Sequence, residues 1–427
     1  MSEANTDTIK TVDHKPHAAF FRQSGWLVIS GVVGGVMMYG VHFLAKSIPE
    51  SQYAIFGTLL MVVACLPTMP LQMIFAQQTA LALATGRERQ LAGMLRLAWL
   101  WTFIVWAAGA LAVFIFQKQI VAGWHLPDAT AIWVTLPLLL ASLWLPMFSG
   151  VVQGRQDFFW LGWTTIFGGA GRIIAAAVLV LALGFGAAGM IAGALIGVGF
   201  SAWIVIWRSR DLWTLAPVKF ETADLRRQVV PLVFGFGALQ FMFTADTMFA
   251  KAFFSGDQMA PYVAAGTLSR ALLWLVLPLA QVMFPKIVHA AAKSEKTNLF
   301  NLVVLGTAVL AVCGGLGLWL VGPIVVKIVY KTSYVAATTA LLPWYAAAMV
   351  PLALANVMIN DLLARARYAV VPWMVVVALG YGFTLPAMLN HFPGRLEVVL
   401  QTLGAFNLLL VGVCAWFTWG KKAAPVK

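Results

Sequence analysis

The sequence is short of charge. Of its 427 residues, 10% are Asp, Glu, Lys or Arg, against about 25% in an ordinary soluble domain. That excludes a disordered chain, a nucleic-acid-binding domain and a typical soluble enzyme. Acids are the scarcer sign, with 15 Asp and Glu against 28 Lys and Arg. Cysteine is scarce too. Cys65, Cys313 and Cys414 each lie inside an apolar run, and no two have metal-ligand spacing, which argues against a disulfide framework or a zinc site. There is no GxxxxGKS or GxxxxGKT stretch, so the chain lacks a loop for hydrolysing nucleotides. HExxH, GxSxG and paired carboxylates at catalytic spacing are missing as well. The outer connectors are short, one carrying His125 and Asp128 and another His391, Arg395 and Glu397. The chain therefore reads as something other than an enzyme, with no cofactor.

Apolar residues are what it has, at 61% of the chain with 18 Trp and 28 Phe, a composition that suits a bilayer protein with aromatic belts. A span needs about 20 mostly apolar residues. Such runs occur at roughly 24–46, 53–83, 93–116, 130–153, 158–182, 186–208, 228–252, 260–288, 298–321, 334–361, 366–389 and 394–419. The runs are continuous rather than alternating, which predicts helices and not barrel strands. The polar segment Met1–Arg22 has no signal-peptide pattern, and the run after it reads as a retained first span.

Lys and Arg set the orientation. With the N-terminus inside, the inner segments hold Arg22, Arg87, Arg89, Arg96, Arg155, Arg208, Arg210, Arg226, Arg227, Arg365, Arg367 and most lysines, whereas the outer ends hold Lys46, Lys118, Lys251, Lys327, Lys331 and Arg395. This bias predicts a multi-pass protein of a bacterial inner (plasma) membrane with both termini cytoplasmic. The fold class expected is all-α, about twelve transmembrane helices in two six-helix parallel-repeat halves around a central cavity. The boundaries are an N-terminal tail 1–23, a first half 24–208, a charged linker 209–227, a second half 228–419 and a tail 420–427.

The halves echo each other. Phe43-Leu44-Ala45-Lys46, Tyr53 and Pro70-Leu71 match Phe249-Ala250-Lys251, Tyr262 and Pro278-Leu279 in order and nearly in spacing. Val151–Gln156 echoes Leu362–Arg367 at the inner end of each fourth span. Six spans per half give parallel repeats, an arrangement that can enclose a cavity and rock around it.

These same segments resemble a known family. Lys46–Gly57 (KSIPESQYAIFG) resembles the first inter-helix loop of polysaccharide transporters and oligosaccharide flippases, Gln153–Phe158 their fourth-to-fifth span junction, and Asp246–Pro285 their seventh and eighth spans. The resemblance runs from about residue 20 to 420 and points to the multidrug/oligosaccharidyl-lipid/polysaccharide (MOP) exporter superfamily with its MATE-like fold. It implies a flippase that moves a polyprenyl-(di)phosphate-linked oligosaccharide from the inner to the outer leaflet, alongside other polysaccharide biosynthesis proteins. Twelve spans, rather than the fourteen of some branches, set it apart from the lipid II flippases. A cation-coupled multidrug antiporter of the same superfamily is the alternative, and an intramembrane enzyme acting on the lipid carrier a third.

Charges inside spans are costly and mark function or pairing. Arg172 follows Gly168, Gly169 and Gly171 in the fifth span, and an arginine fork matches phosphate oxygens. Arg270 in the eighth span and Asp246 in the seventh form either a structural ion pair or contacts to substrate or ion. Asp246 is also the best single site for H+ or Na+ coupling. Lys46 and Lys251 are matched outer-end residues, read either as snorkelling side chains or as receivers of an anionic headgroup. His42, a turn before Lys46, reads as a packing or hydrogen-bonding group. Tyr262, Ser269 and Gln281 form a polar stripe, with Pro278 and Pro285 as kink positions, matched by Pro67 and Pro70 in the second span.

Overall fold

The computed structural model describes residues 15–218, 223–273 and 299–420. All its regular structure in these segments is helical, as a chain must be where no water satisfies its backbone. The first repeat unit is α1 (Lys15–Gly40), a 3-10 turn (Val41–Lys46), α2 (Glu50–Ala64), α3 (Thr68–Thr85), α4 (Glu88–Ile115), the short α5 (Gln117–Gly123), α6 (Thr130–Gly154), α7 (Phe158–Ala177) with a π-helical end (Val178–Ala182), and α8 (Gly186–Arg208). A short α9 (Asp211–Thr214) precedes α10 (Ala223–Phe253). Then come α11 (256–273), α12 (Leu299–Val329), α13 (Tyr334–Ala364), α14 (Val371–His391) and α15 (Leu396–Ala415). Among the described residues, 11 helical segments are long and apolar enough to cross a membrane. With α11 they account for the twelve expected runs. The rest of the eighth run, with Pro278, Gln281 and Pro285, lies outside the described residues.

The first two spans depart from simple helices. The first ends in the tighter 3-10 turn that carries His42 and Lys46. The second breaks at residues 65–67, between α2 and α3, where Pro67 has no N–H to continue the ladder and restricts the residue before it. The break frees the Ala64 carbonyl, and Gln240 of α10 donates to it at 2.7 Å.

Glycines set the closest packing in the first bundle. A Cβ on Gly197 of α8 would lie 2.3 Å from the Gly168 carbonyl oxygen of α7, and one on Gly169 would lie 2.6 Å from that of Gly34 in α1. Helices α1, α3, α6, α7 and α8 pack among themselves, as do α10 and α12–α15, and α2 and α3 meet α10 across the middle.

The end carrying Arg155 and Arg208 is the basic end. There Arg155 pairs with Asp211 at 2.5 Å and Arg208 with Asp157 at 2.7 Å. Arg96 donates to the carbonyls of Trp213 and Leu215, and Trp213 lies against Trp99 and Phe148. The first part of the expected linker is thus held on the first bundle. The Arg155 guanidinium holds the Asp211 carboxyl below its ordinary value.

Candidate functional site

The second bundle is built around Asp246. Its Oδ1 accepts from Arg270 Nη2 at 2.6 Å, and its Oδ2 accepts from the Tyr262 hydroxyl at 2.8 Å and from the Tyr345 hydroxyl. Arg270 has further partners. Its Nε donates to the Phe243 carbonyl at 2.9 Å and its Nη2 to Thr247 Oγ1 at 2.9 Å, and the guanidinium lies over the rings of Phe243 and Tyr345. Tyr262 and Arg270 are two turns apart on α11, with Gly266 between them. A Cβ at Gly266 would sit 2.5 Å from Arg270 Nη1 and 2.7 Å from the Tyr345 hydroxyl, so glycine is what lets this network close. Of the two roles left open for Asp246 and Arg270, the geometry is that of an ion pair. Ser269 is buried with no partner for its hydroxyl among the described residues, and so is Tyr381.

The first bundle holds a cation without such a partner. Arg172 is buried on α7, its guanidinium lies 5.9 Å from the Phe56 ring centroid, and its Nε makes no hydrogen bond. No carboxylate lies within 4.0 Å of it among the described residues. The neighbouring polar groups are His42 and Tyr53, both within electrostatic range. The Tyr53 hydroxyl is hydrogen-bonded to that of Tyr330 of the second bundle at 3.2 Å and to His42 Nδ1 at 2.8 Å, the donor of the latter set by the imidazole tautomer. Tyr39 packs against the His42 ring, with its hydroxyl unpartnered. Arg172 is thus a buried arginine without a counter-ion among rings and hydroxyls, and its guanidinium fork has the geometry that matches a pair of anionic oxygens.

The matched lysines have unlike surroundings. Lys46 is exposed and donates to the Lys327 carbonyl at 3.4 Å. Lys251, expected at an open helix end, is buried and has no carboxylate partner among the described residues.

Opposite the basic end the two bundles are tied together. Lys331 donates to the Ile48 carbonyl at 2.6 Å, and Ser333 to Glu50 Oε1 at 2.7 Å. A Cβ on Gly256 would lie 2.6 Å from that of Ser51. The hydrogen bonds between bundles lie here, apart from the mid-depth Gln240–Ala64 contact, among the described residues.

Sequence reasoning missed Tyr330 and Tyr345. A signal was present: the chain has 8 Tyr against 28 Phe, so a hydroxyl on a ring is the exception. Tyr53, Tyr262, Tyr330, Tyr334, Tyr345 and Tyr381 are all fully buried. Of these, Tyr53, Tyr262, Tyr330 and Tyr345 join side-chain hydrogen-bond networks, whereas the hydroxyls of Tyr334 and Tyr381 have no partner among the described residues.

No protein-family model and no curated sequence relative matches the chain. Solved structures do. An inward-facing multidrug resistance transporter of the MATE family, MOP superfamily, matches with a TM-score of 0.73 at 11% identity, over 91% of this chain and 93% of that one. The lipid II flippase MurJ, in an inward closed conformation, matches with a TM-score of 0.67 at 14% identity, over 94% of this chain and 88% of that one. A MOP transporter from Pyrococcus furiosus, described as having a binding pocket of reverse polarity, matches with a TM-score of 0.52 at 11% identity, over 93% and 92%. At these identities the likeness is one of architecture, and the chain has the fold of the MOP superfamily transporters: an all-helical, multi-pass membrane protein of about twelve spans.

Proposed function

We propose that this protein is a flippase: it carries a polyprenyl-(di)phosphate-linked oligosaccharide from the inner to the outer leaflet by alternating access. The basic end faces the cytoplasm with both termini, in a bacterial inner membrane. The halves 24–208 and 228–419 rock about the cavity between them. The headgroup enters from the basic end and its phosphate meets Arg172. Lys46 and Lys251 receive it toward the outer mouth, while the lipid tail stays in the bilayer. Other polysaccharide biosynthesis proteins supply and consume the substrate.

The observation that carries this reading is the unpaired Arg172. A buried guanidinium with no counter-ion is costly unless a ligand supplies one, and a phosphate oxygen pair fits its fork. A lipid-linked substrate also agrees with a flippase among the structural neighbours. The contacts of Lys331 and Ser333 opposite the basic end suit a state closed to the outside.

A cation-coupled multidrug antiporter is the second reading, favoured by the MATE neighbours. Its cation would need a free buried acid. The buried acids among the described residues, Asp246 and Asp361, each pair with an arginine, so this reading requires Asp246 to leave Arg270 in another state and take up H+ or Na+.

The test is mass spectrometry of lipid-linked sugars, resolved by leaflet, in cells with and without the protein. One lipid-linked oligosaccharide should accumulate in the inner leaflet on deletion, and Arg172→Ala should reproduce the deletion at normal protein level. Unchanged lipids with new drug sensitivity decide for the antiporter.

A further inference from the structure

The two bundles contain similar joints in two charge states. In the second, a polar side chain near the end of the first helix, Asp246, accepts from a tyrosine of the next helix, Tyr262, at 2.8 Å. In the first, the corresponding bond joins His42 and Tyr53, also at 2.8 Å. Lys46 follows His42 by four residues and Lys251 follows Asp246 by five, so the two hydrogen bonds lie at similar places in the two bundles, one residue apart in the register of the lysines. Each joint has an arginine beside it. Arg270 bonds the Asp246 carboxylate directly. Arg172 lies near His42, and Phe56 touches both, its ring 5.7 Å from that of His42 and 5.9 Å from the guanidinium.

We propose that His42 sets the charge preference of the carrier: by occupying the place where the other half holds a carboxylate, it leaves Arg172 without an internal counter-ion and so reserves that position for an anionic substrate. An imidazole carries no negative charge in either protonation state, yet its Nδ1 keeps the bond to Tyr53. The joint therefore keeps its mechanical link while the arginine stays unneutralised. Arg172 reaches its joint from α7 and Arg270 from the helix of its own tyrosine, α11, yet a carboxylate at position 42 would likewise give the arginine an internal counter-ion and close the site to phosphate. This rests on the reading that Arg172 receives the anion, and it makes Asp246 and His42 counterparts rather than unrelated residues.

The test uses the purified full chain in detergent, with farnesyl diphosphate as the anionic probe, measured by calorimetric titration and thermal unfolding. His42→Asn keeps a hydrogen-bonding group without charge and serves as the neutral reference for the carboxylate variants. His42→Asp should lose binding by about tenfold or more, the share one charge-assisted contact carries, while unfolding at the same or a higher temperature because Arg172 gains a partner. His42→Glu repeats the test with a longer reach. If Arg172→Ala abolishes binding but both carboxylate variants bind normally, His42 is not the selector. If both carboxylate variants are less stable than His42→Asn, Arg172 does not pair with position 42, and the proposal fails equally. If Arg172→Ala binds the probe as well as the natural protein, the underlying reading of Arg172 fails instead.

Discussion

The hydroxyls of Tyr53 and Tyr330 lie 3.2 Å apart across the boundary between the two bundles, both fully buried. Tyr53 is also the partner of His42, which lies beside Arg172. One buried ring thus links the neighbour of Arg172 in the first bundle to the seam that joins the bundles opposite the basic end. Any motion that separates the bundles there has to break this bond, and any ligand that displaces His42 or Tyr53 acts on it.

The seam should control access from outside. Lys331 donates to Ile48 and Ser333 to Glu50 a short distance from Tyr330. In a background with Cys65, Cys313 and Cys414 replaced, a cysteine at the buried Thr58 should react slowly with a membrane-impermeant maleimide. Adding Lys331→Ala with Tyr330→Phe should raise that rate severalfold. Equal rates would mean that these contacts do not close the outer side.

The Asp246–Arg270 pair should be worth more for architecture than for net stability. Removing one partner leaves a buried charge alone, so Arg270→Met should cost about 3–5 kcal/mol, whereas replacing both with apolar residues of similar size should recover most of it. Thermal unfolding of Arg270→Met, Asp246→Leu and the double variant measures this directly. Transport separates the roles further. A structural pair predicts that the double variant still moves substrate, and an ion-coupling Asp246 predicts that it does not.

Much of this architecture was legible because lipid leaves a chain few choices. The spans follow from apolar runs, and the break at 65–67 follows from Pro67. The pairing of Asp246 with Arg270 was one of two open readings, since two opposite charges in adjacent spans either meet or serve a ligand. Other features depend on helix rotation, which a continuous apolar run does not record. Lys46 and Lys251 match in sequence, and each lies in the last turn of its helix, yet one is exposed and the other buried. Tyr345 lies 99 residues from Asp246 in the chain, and no local pattern links them. Only the packing of α13 against α10 does.

The basic end carries a mild acid sensitivity with a definite sign. Arg155 lowers the folded-state value of Asp211 below its ordinary 3.8. The pair's contribution is therefore complete above about pH 4 and fades as pH falls through the depressed value. Asp211 is half exposed, so the pair is worth at most about 1 kcal/mol. Asp211→Asn should lower stability by no more than that at pH 7 and by nothing below the depressed value. A pH series of unfolding curves for both proteins checks it, and a gap that widens in acid would reverse the assignment.

The position of Arg172 depends on a glycine in another helix. A Cβ at Gly197 would meet the Gly168 carbonyl oxygen at 2.3 Å and the backbone nitrogen of Arg172 at 2.8 Å. Both are backbone atoms, so α7 and α8 would have to move apart. Gly197→Ala should cost about 1–3 kcal/mol by overpacking. Because the strain falls on the turn that carries Arg172, it should weaken binding of an anionic probe by more than the stability loss alone explains. Gly199 lies on the same helix with nothing within 4 Å of its Cβ position, so Gly199→Ala should leave both properties intact. Equal behaviour of the two variants in unfolding and binding would show that close approach of α7 and α8 is not what places the arginine. A loss confined to Gly197→Ala would tie the receptor to the contact between these helices.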